Sequence, residues 1–179
     1  PSSHYARMPA VRDAAISPDG KWMAAVVDNN GSYVVRVFNL GDPKDTKVRA
    51  SGIGKKIKVD YITWANNDQF LVSITQYQKD KAMIYATGQL VVVSKDMKEM
   101  RPVLRPKAKQ GGATRFNKKV SYRQFNNEVV DFLPDEPNHI LMAFGEEDQY
   151  APGVHRVSLK NTSTKKIKNG ARNIETWMT

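Results

Sequence analysis

Three histidines, His4, His139 and His155, are the side chains of this 179-residue sequence best suited to acid–base or metal chemistry. A zinc site or a catalytic pair needs a second histidine or a carboxylate at a defined spacing, and none stands at such a spacing from these three. His139 begins an apolar run and His155 lies in an alternating one. We therefore expect both to be packing or surface side chains, and we predict no catalytic residue, no metal ligand and no cofactor site.

The local signatures of an activated nucleophile are also missing from the sequence. It contains no cysteine, which excludes a cysteine nucleophile, disulfides and thiolate metal sites, and it contains no G-x-S-x-G segment. Residues 51–55, SGIGK, resemble a phosphate-binding loop only faintly, because the four-residue gap and the Lys-Ser/Thr ending are absent. We interpret them as a turn between strands.

Two acidic clusters occur in turn-like segments. One is Asp135 with Glu136, and the other is Glu146, Glu147 and Asp148. Such carboxylates could bind calcium or the amino group of a substrate, but their spacing does not match an EF-hand loop. We expect them to be solvated turn carboxylates.

The formal net charge of +10 is concentrated in residues 101–123. This segment has no acidic residue and eight basic ones, which are Arg101, Arg105, Lys107, Lys109, Arg115, Lys118, Lys119 and Arg123. Its weak apolar periodicity and its paired glycines at 111 and 112 favour a solvated loop, with binding of a polyanion or an acidic partner as the alternative. Phe116 and Tyr122 are too few aromatic residues for a base-stacking platform, so we expect no nucleic-acid partner.

Apolar runs in this chain reach only four or five residues, as at 90–93, whereas a membrane-spanning helix needs about 20. We therefore predict no membrane span. The sequence begins PSSHYARMPAV, without an initiator methionine or an apolar signal core, which leaves processing or removal of an export signal open.

A turn between two apolar runs, ISPDGKWMAAVV at residues 16–27, indicates how the chain is organised. Pro18 presets the backbone of the first corner, Asp19 can bond its own backbone and Gly20 tolerates positive φ, which predicts a strand reversal. Similar runs recur in groups of four. They cover residues 11–16, 21–27, 32–40 and 46–50; then 59–64, 70–75, 89–94 and 99–104; then 128–133, 139–144, 153–159 and 164–167. Residues 173–177 begin a fourth group.

The ends of the first strands, Ile16, Trp64, Leu133 and Trp177, are 48, 69 and 44 residues apart. Two of these intervals match the period of a four-stranded propeller blade. The sequence therefore predicts an all-β chain with a partial β-propeller fold. We place blade 1 at about 11–52, blade 2 at about 58–105, blade 3 at about 128–170 and the start of blade 4 at about 173–179. We assign the longer middle interval to a basic insertion at about 106–127.

The gradient of polarity within each group fits a blade. The second strands contain MAAVV, FLVSI and ILMAF, as expected of strands packed between neighbouring blades, and the outermost strands carry lysine and arginine, which protect an edge from pairing. Asn30 and Gly31 predict a two-residue hairpin turn of the primed type. We expect Trp64 and Trp177 to have equivalent roles in the core.

ISPDGKWMAAVV resembles the SPDG repeat in the propellers of TolB-like proteins and of prolyl oligopeptidase family serine peptidases. The segments ARMPAVRDAAISPDG, VVDFLPDEPNHILMAF, GVHRVSLKN and NIETWM, in this order, are similar to the amino-terminal region of bacterial acylaminoacyl- or dipeptidyl-peptidase-like members. The resemblance covers nearly the whole chain except the basic insertion.

This resemblance implies a propeller that covers a carboxy-terminal α/β-hydrolase domain and admits peptide substrates by size. The chain would be a non-catalytic, gating part of a serine peptidase, with the hydrolase domain and a peptide substrate as its partners. No triad residue can be carried over, because the sequence does not include the region that would hold the triad, and neither Glu146 nor Glu147 is assigned to bind a peptide amino terminus. A TolB-like interaction module without a hydrolase is the alternative, and polyanion binding through residues 101–123 is a third.

Three blades would leave two apolar blade faces without neighbours, which a soluble monomer rarely tolerates. The sequence therefore predicts self-association, or membership of a longer protein. The compartment, either the periplasm or the cytoplasm of a bacterium, stays open.

Overall fold

The computed structural model describes residues 9–42, 44–45, 47, 49–54, 56–80, 83–104, 125–145, 151–171 and 177. All regular structure in these ranges is β-strand, and no helix occurs among them. The chain divides into two compact units, Pro1–Pro102 and Val103–Thr179, and each is described by itself.

The first unit contains two four-stranded antiparallel sheets, which we call blade 1 and blade 2. Blade 1 is β1 (Val11–Ile16), β2 (Trp22–Asp28), β3 (Tyr33–Asn39) and β4 (Arg49–Gly52), in that spatial order. Blade 2 is β5 (Ile57–Trp64), β6 (Gln69–Asp80), β7 (Met83–Ser94) and β8 (Met100–Pro102), also in sequence order.

The second unit contains blade 3. It is built from β10 (Val129–Asp131), β11 (His139–Phe144), β12 (Gly153–Ser158) and β13 (Thr164–Lys168), again antiparallel and in sequence order. A short strand, β9 (Phe125–Asn126), precedes it. The three sheets confirm the all-β class and the grouping of strands in fours. Residues 173–176, which we predicted to start a fourth blade, lie outside the described part of the chain.

The SPDG turn forms as the sequence predicts. The Gly20 amide donates to the Ser17 carbonyl at 2.8 Å, and Gly20 has a φ of 70°. The Ser17 hydroxyl donates to Asp19 Oδ1 at 2.6 Å, and this bond is the main reason that the pKa of Asp19 is lowered. The next turn is also confirmed, because Asn30 and Gly31 both have positive φ, as a primed hairpin turn requires.

Each blade has a β-bulge in its first strand. The pairing register shifts between Val11 and Asp13 in β1, between Val59 and Tyr61 in β5, and at Val129–Asp131 in β10. A bulge bends a strand and increases its twist. Its recurrence at the same place strengthens the conclusion that the three sheets are copies of one structural unit.

The hairpin of β6 and β7 is longer than its counterparts. We compare the hairpins by the pair of residues farthest from each turn. These two residues are 17 positions apart in blade 1 (Trp22 and Asn39), 19 in blade 3 (His139 and Ser158) and 25 in blade 2 (Gln69 and Ser94). Part of the extra length between blades 2 and 3 therefore lies in this hairpin, which corrects our assignment of all of it to residues 106–127. Residues 105–124 lie outside the described part of the chain.

The predicted strand at 128–133 ends earlier than expected. β10 stops at Asp131, and Leu133 has a φ of 48°. The Leu133 amide donates to Asp131 Oδ1 at 2.6 Å, so a local side-chain bond replaces the strand ladder there.

The core of the first unit lies between its two blades. Blade 1 contributes Ala24, Val26, Val35 and Val37, and blade 2 contributes Val59, Ile62, Trp64, Phe70, Val72 and Val93. In the second unit, Ile140, Met142, Val157 and Leu159 are fully buried. Among the described residues, no helix has the length and apolarity needed to cross a membrane.

Candidate interaction surface

Hydrogen bonds fasten blade 1 to blade 2. Asp13 Oδ2 accepts a hydrogen bond from the Ile62 amide at 2.7 Å, and the Ala15 carbonyl accepts one from Trp64 Nε1 at 2.9 Å. The Asp19 amide donates to the Asn67 side-chain oxygen at 3.0 Å. The partners are 48 or 49 residues apart, which agrees with the repeat interval predicted between blades 1 and 2.

Asp13 bonds to the main chain of both blades. Its Oδ1 accepts from the Ala14 amide of its own strand at 2.9 Å, while its Oδ2 accepts from Ile62. The Trp64 and Phe70 rings pack with centroids 5.3 Å apart, and both belong to the apolar core that blade 2 shares with blade 1. Apolar packing and a charge-assisted hydrogen bond therefore hold the same blade contact.

Among the described residues of the first unit, no blade packs on the opposite surface of blade 1. Alternation along β1, β2 and β3 places six side chains there, which are Ala14, Ile16, Met23, Ala25, Arg36 and Phe38. We call this surface the Arg36 face. Ile16 is 60% exposed, although Trp64 at the corresponding place in blade 2 is 7% exposed. Ala14 is also exposed, whereas Met23, Arg36 and Phe38 are half-buried and Ala25 is buried, so the exposed apolar part of this face is centred on Ile16.

A depression of about 250 Å³ lies beside the outer strands of blade 1. Its lining residues are Arg36, Val37, Phe38, Asn39, Asp45, Lys47 and Arg49. Asp45 is the one carboxylate among the described residues that line it, and Arg49 NH2 donates to Asp45 Oδ2 at 2.7 Å. This bond is the main cause of the fall in the pKa of Asp45 to about 2. The depression is therefore basic, with one acidic group that is already paired.

A second polar cluster lies on blade 3 and involves Glu136, His139 and Arg156. Arg156 Nε donates to Glu136 Oε2 at 2.7 Å, Arg156 NH2 bonds to the same oxygen, and that nitrogen lies 3.2 Å from His139 Nδ1. His139 Nδ1 is itself 3.5 Å from Glu136 Oε2. Glu136, which we expected to be a solvated turn carboxylate, keeps 43% of its side chain exposed and is also paired with Arg156, because β-sheet pairing places Arg156 beside the turn. His139, which we expected to be a packing or surface residue, is partly exposed at this cluster.

His155 is a core residue, as expected. Its side chain is 1% exposed and stacks on Phe144 with centroids 4.0 Å apart. The Nδ1–H group donates to the Gly153 carbonyl at 2.9 Å. The imidazole thus fills the interior of blade 3 and bonds to its main chain.

Trp64 and Trp177 make similar hydrogen bonds in different places. Trp177 Nε1 donates to the Pro152 carbonyl at 2.9 Å, next to β12, whereas Trp64 bonds to the first strand of blade 1. Gly170 packs so closely on Pro152 that the chain after β13 passes beside the start of β12. The two indoles are therefore not equivalent, contrary to the prediction.

Other residues singled out from the sequence provide no site in the described part of the chain. Residues 51 and 52, which we predicted as part of a turn, finish β4, and the turn follows them, where the Ile57 amide donates to the Gly54 carbonyl at 2.8 Å. His4, Glu146, Glu147, Asp148 and residues 105–124 of the basic segment lie outside the described ranges. Within those ranges, no group of three histidine, aspartate or glutamate side chains is arranged to hold a metal ion.

No protein-family model matches this sequence, and no curated protein matches it. Solved structures do resemble the fold. An acylaminoacyl peptidase in complex with Z-Gly-Gly-Phe-chloromethyl ketone is 13% identical, with a TM-score of 0.51 over 92% of this chain and 26% of that one. The Pyrococcus horikoshii acylaminoacyl peptidase is 14% identical, with a TM-score of 0.52 over the same shares. TolB from Acinetobacter baumannii is 11% identical, with a TM-score of 0.46 over 90% of this chain and 33% of that one.

At these identities the likeness to the two peptidases shows the fold alone, and that fold is a partial β-propeller. The present chain spans about a quarter of the length of each peptidase and a third of TolB. Its blades correspond to only part of these larger molecules.

Proposed function

We propose that this chain is a non-catalytic propeller portion that gates and selects peptide substrates for an α/β-hydrolase serine peptidase domain. The observation that carries the proposal is the match of 92% of the chain to about a quarter of two acylaminoacyl peptidases. The ordered SPDG-containing segments of the sequence support it, because they resemble the amino-terminal region of such peptidases.

Blade packing explains how such a portion would act. A filter that excludes substrates by size must keep its shape while a peptide passes. Trp64 and Asp13 join blades 1 and 2 through buried packing and directed hydrogen bonds, which resist relative movement of the two sheets. Weakening this contact would loosen the filter without touching a catalytic group.

The test uses the full protein encoded by the gene. We expect a G-x-S-x-G serine downstream that reacts with a fluorophosphonate probe, followed by an aspartate and a histidine. In that protein Trp64→Ala should raise kcat/KM for long peptides at least threefold relative to a tripeptide, while the exposed-site control Lys160→Leu should leave the ratio unchanged. The absence of a downstream hydrolase, or an unchanged ratio in Trp64→Ala, would refute the proposal.

An interaction module without a hydrolase is the second candidate. The Arg36 face favours it, because Ile16 is exposed on this face at the place where blade 2 has the buried Trp64, and an exposed apolar side chain at such a place suits a protein partner. A reading frame that stops soon after the propeller would support this candidate. Self-association through an open blade face remains a further proposal, and sedimentation of the intact protein tests it.

A further inference from the structure

The Arg36 face differs in one respect from the corresponding surface of blade 2. Strand register aligns the two surfaces: Ile16, Met23 and Phe38 form one cross-strand row in blade 1, and Trp64, Phe70 and Val93 form the matching row in blade 2. Two residues along, Ala14, Ala25 and Arg36 match Ile62, Val72 and Val91. Arg36 therefore stands where blade 2 has a valine.

The presence of an arginine in place of a valine changes which kind of partner can cover the Arg36 face. In blade 2 the matching rows belong to the apolar core and are covered by apolar side chains of blade 1. Covering Arg36 in the same way would bury a guanidinium group without a counter-charge, which costs several kcal/mol. Within the described residues the Arg36 guanidinium has no ion pair or hydrogen bond. A partner that covers this face avoids that cost when it supplies a negative group.

The adjoining depression has the same preference. Arg36, Lys47 and Arg49 line it, together with the Phe38 ring. Asp45 forms no ion pair with Arg36 among the described residues, and its two oxygens instead accept from Arg49, from the Asn39 side chain and from the Lys47 amide. An apolar surface with an unpaired guanidinium beside a basic hollow is complementary to a carboxylate flanked by apolar side chains.

We propose that the Arg36 face is a docking site for a protein segment that presents a carboxylate among apolar side chains, with Arg36 as the partner of that carboxylate. A second copy of the chain fits less well, because face-to-face contact would bring two Arg36 groups into one apolar interface. The inference goes beyond the proposed function and does not depend on it, since it concerns only blade 1.

The probes are two acetylated and amidated nine-residue peptides of alternating apolar and small polar residues, which differ only in a central Asp or Asn. Each is titrated into the isotopically labelled 179-residue chain and followed by NMR. We expect the Asp peptide to bind at least tenfold more tightly than the Asn peptide, to weaken as salt is raised and to shift the resonances of Arg36 and Phe38. Arg36→Leu should reduce the preference to less than twofold, and Arg36→Lys should keep part of it.

Lys160→Leu is the matched control, because it removes one exposed cation from the turn after β12 and should keep the tenfold preference. The well-dispersed spectrum of each variant verifies its fold. Equal binding of the two peptides, an undiminished preference in Arg36→Leu, or shifts confined to other surfaces would overturn the proposal. A wild-type dimer that Ile16→Glu dissociates would overturn it in favour of a second copy. Because these readouts need no peptidase activity, their failure is distinct from failure of the proposed function.

Discussion

Asp13 is the residue on which the contact between blades 1 and 2 depends most directly. Its two carboxylate oxygens accept from main-chain amides on β1 and β5. A sequence reading cannot identify this role, because the partner amide is 49 residues away and belongs to another sheet. The turn residues Ser17, Asp19 and Gly20 were predictable, since their bonds are local.

Replacing Asp13 by alanine should destabilise the first unit. The Ile62 amide would lose its acceptor inside a packed interface, and hydrogen bonds to charged groups contribute about 1.5–3 kcal/mol. We expect the free energy of unfolding in urea to fall by about that amount for Asp13→Ala and by less for Asp13→Asn, which keeps an acceptor oxygen. The exposed-site control is Asp135→Ala. Equal stability of Asp13→Ala and this control would show that the bridge is unimportant.

The cluster of Glu136, His139 and Arg156 shows another limit of sequence reading. Glu136 and His139 are three residues apart in a turn, so their proximity could have been suspected. Arg156 is 20 residues from Glu136 and reaches it only because β12 pairs with β11. A signal for this contact requires the strand register, which a single sequence does not specify.

Strands were the most predictable elements of this chain. Apolar runs bounded by turn residues located β1, β2 and β11 to within one or two residues. The long β6–β7 hairpin was missed at its tip, because residues 76–88, QYQKDKAMIYATG, join a polar half to an apolar half without regular alternation and lack a common turn sequence. At this end the two strands are held together by cross-strand hydrogen bonds and not by burial of apolar side chains. Its sequence therefore carries only a weak hydrophobic pattern.

Gly170 provides a test at the level of packed elements. A Cβ atom there would lie 2.2 Å from the Ala151 carbonyl oxygen and 2.5 Å from the Pro152 main chain. Both neighbours are backbone, so Gly170→Ala should force the segments apart and reduce the free energy of unfolding by about 1–3 kcal/mol.

Gly52→Ala is the matched control for this substitution, because no atom lies within 4 Å of the Cβ position there. We expect a change of less than about 0.5 kcal/mol in this variant. Urea unfolding followed by tryptophan fluorescence compares the two. Similar curves for both variants would contradict the close packing at Gly170.

At the scale of the molecule, the repeat explains both the fold and the open surface. Blades 1 and 2 share strand order, a first-strand bulge and a cross-strand register, and these allow residues of one blade to be aligned with those of the other. The repeat interval was visible in the sequence. The sequence did not reveal that Arg36 in blade 1 stands at the position that Val91 holds in blade 2. The two hairpins differ in length, so only the strand pairing shows which of their residues match.

The stacking of blade 2 on blade 1 is the central claim, and the indole N–H of Trp64 tests it most directly. This group donates to the Ala15 carbonyl, and the Trp64 side chain is 7% exposed. In nuclear Overhauser spectra of the intact chain, we predict cross-peaks from the Trp64 indole proton to protons of Ala15 and Ile16, together with slow exchange of that proton with solvent. An indole proton that exchanges rapidly and shows cross-peaks only to residues of its own sheet would contradict the account.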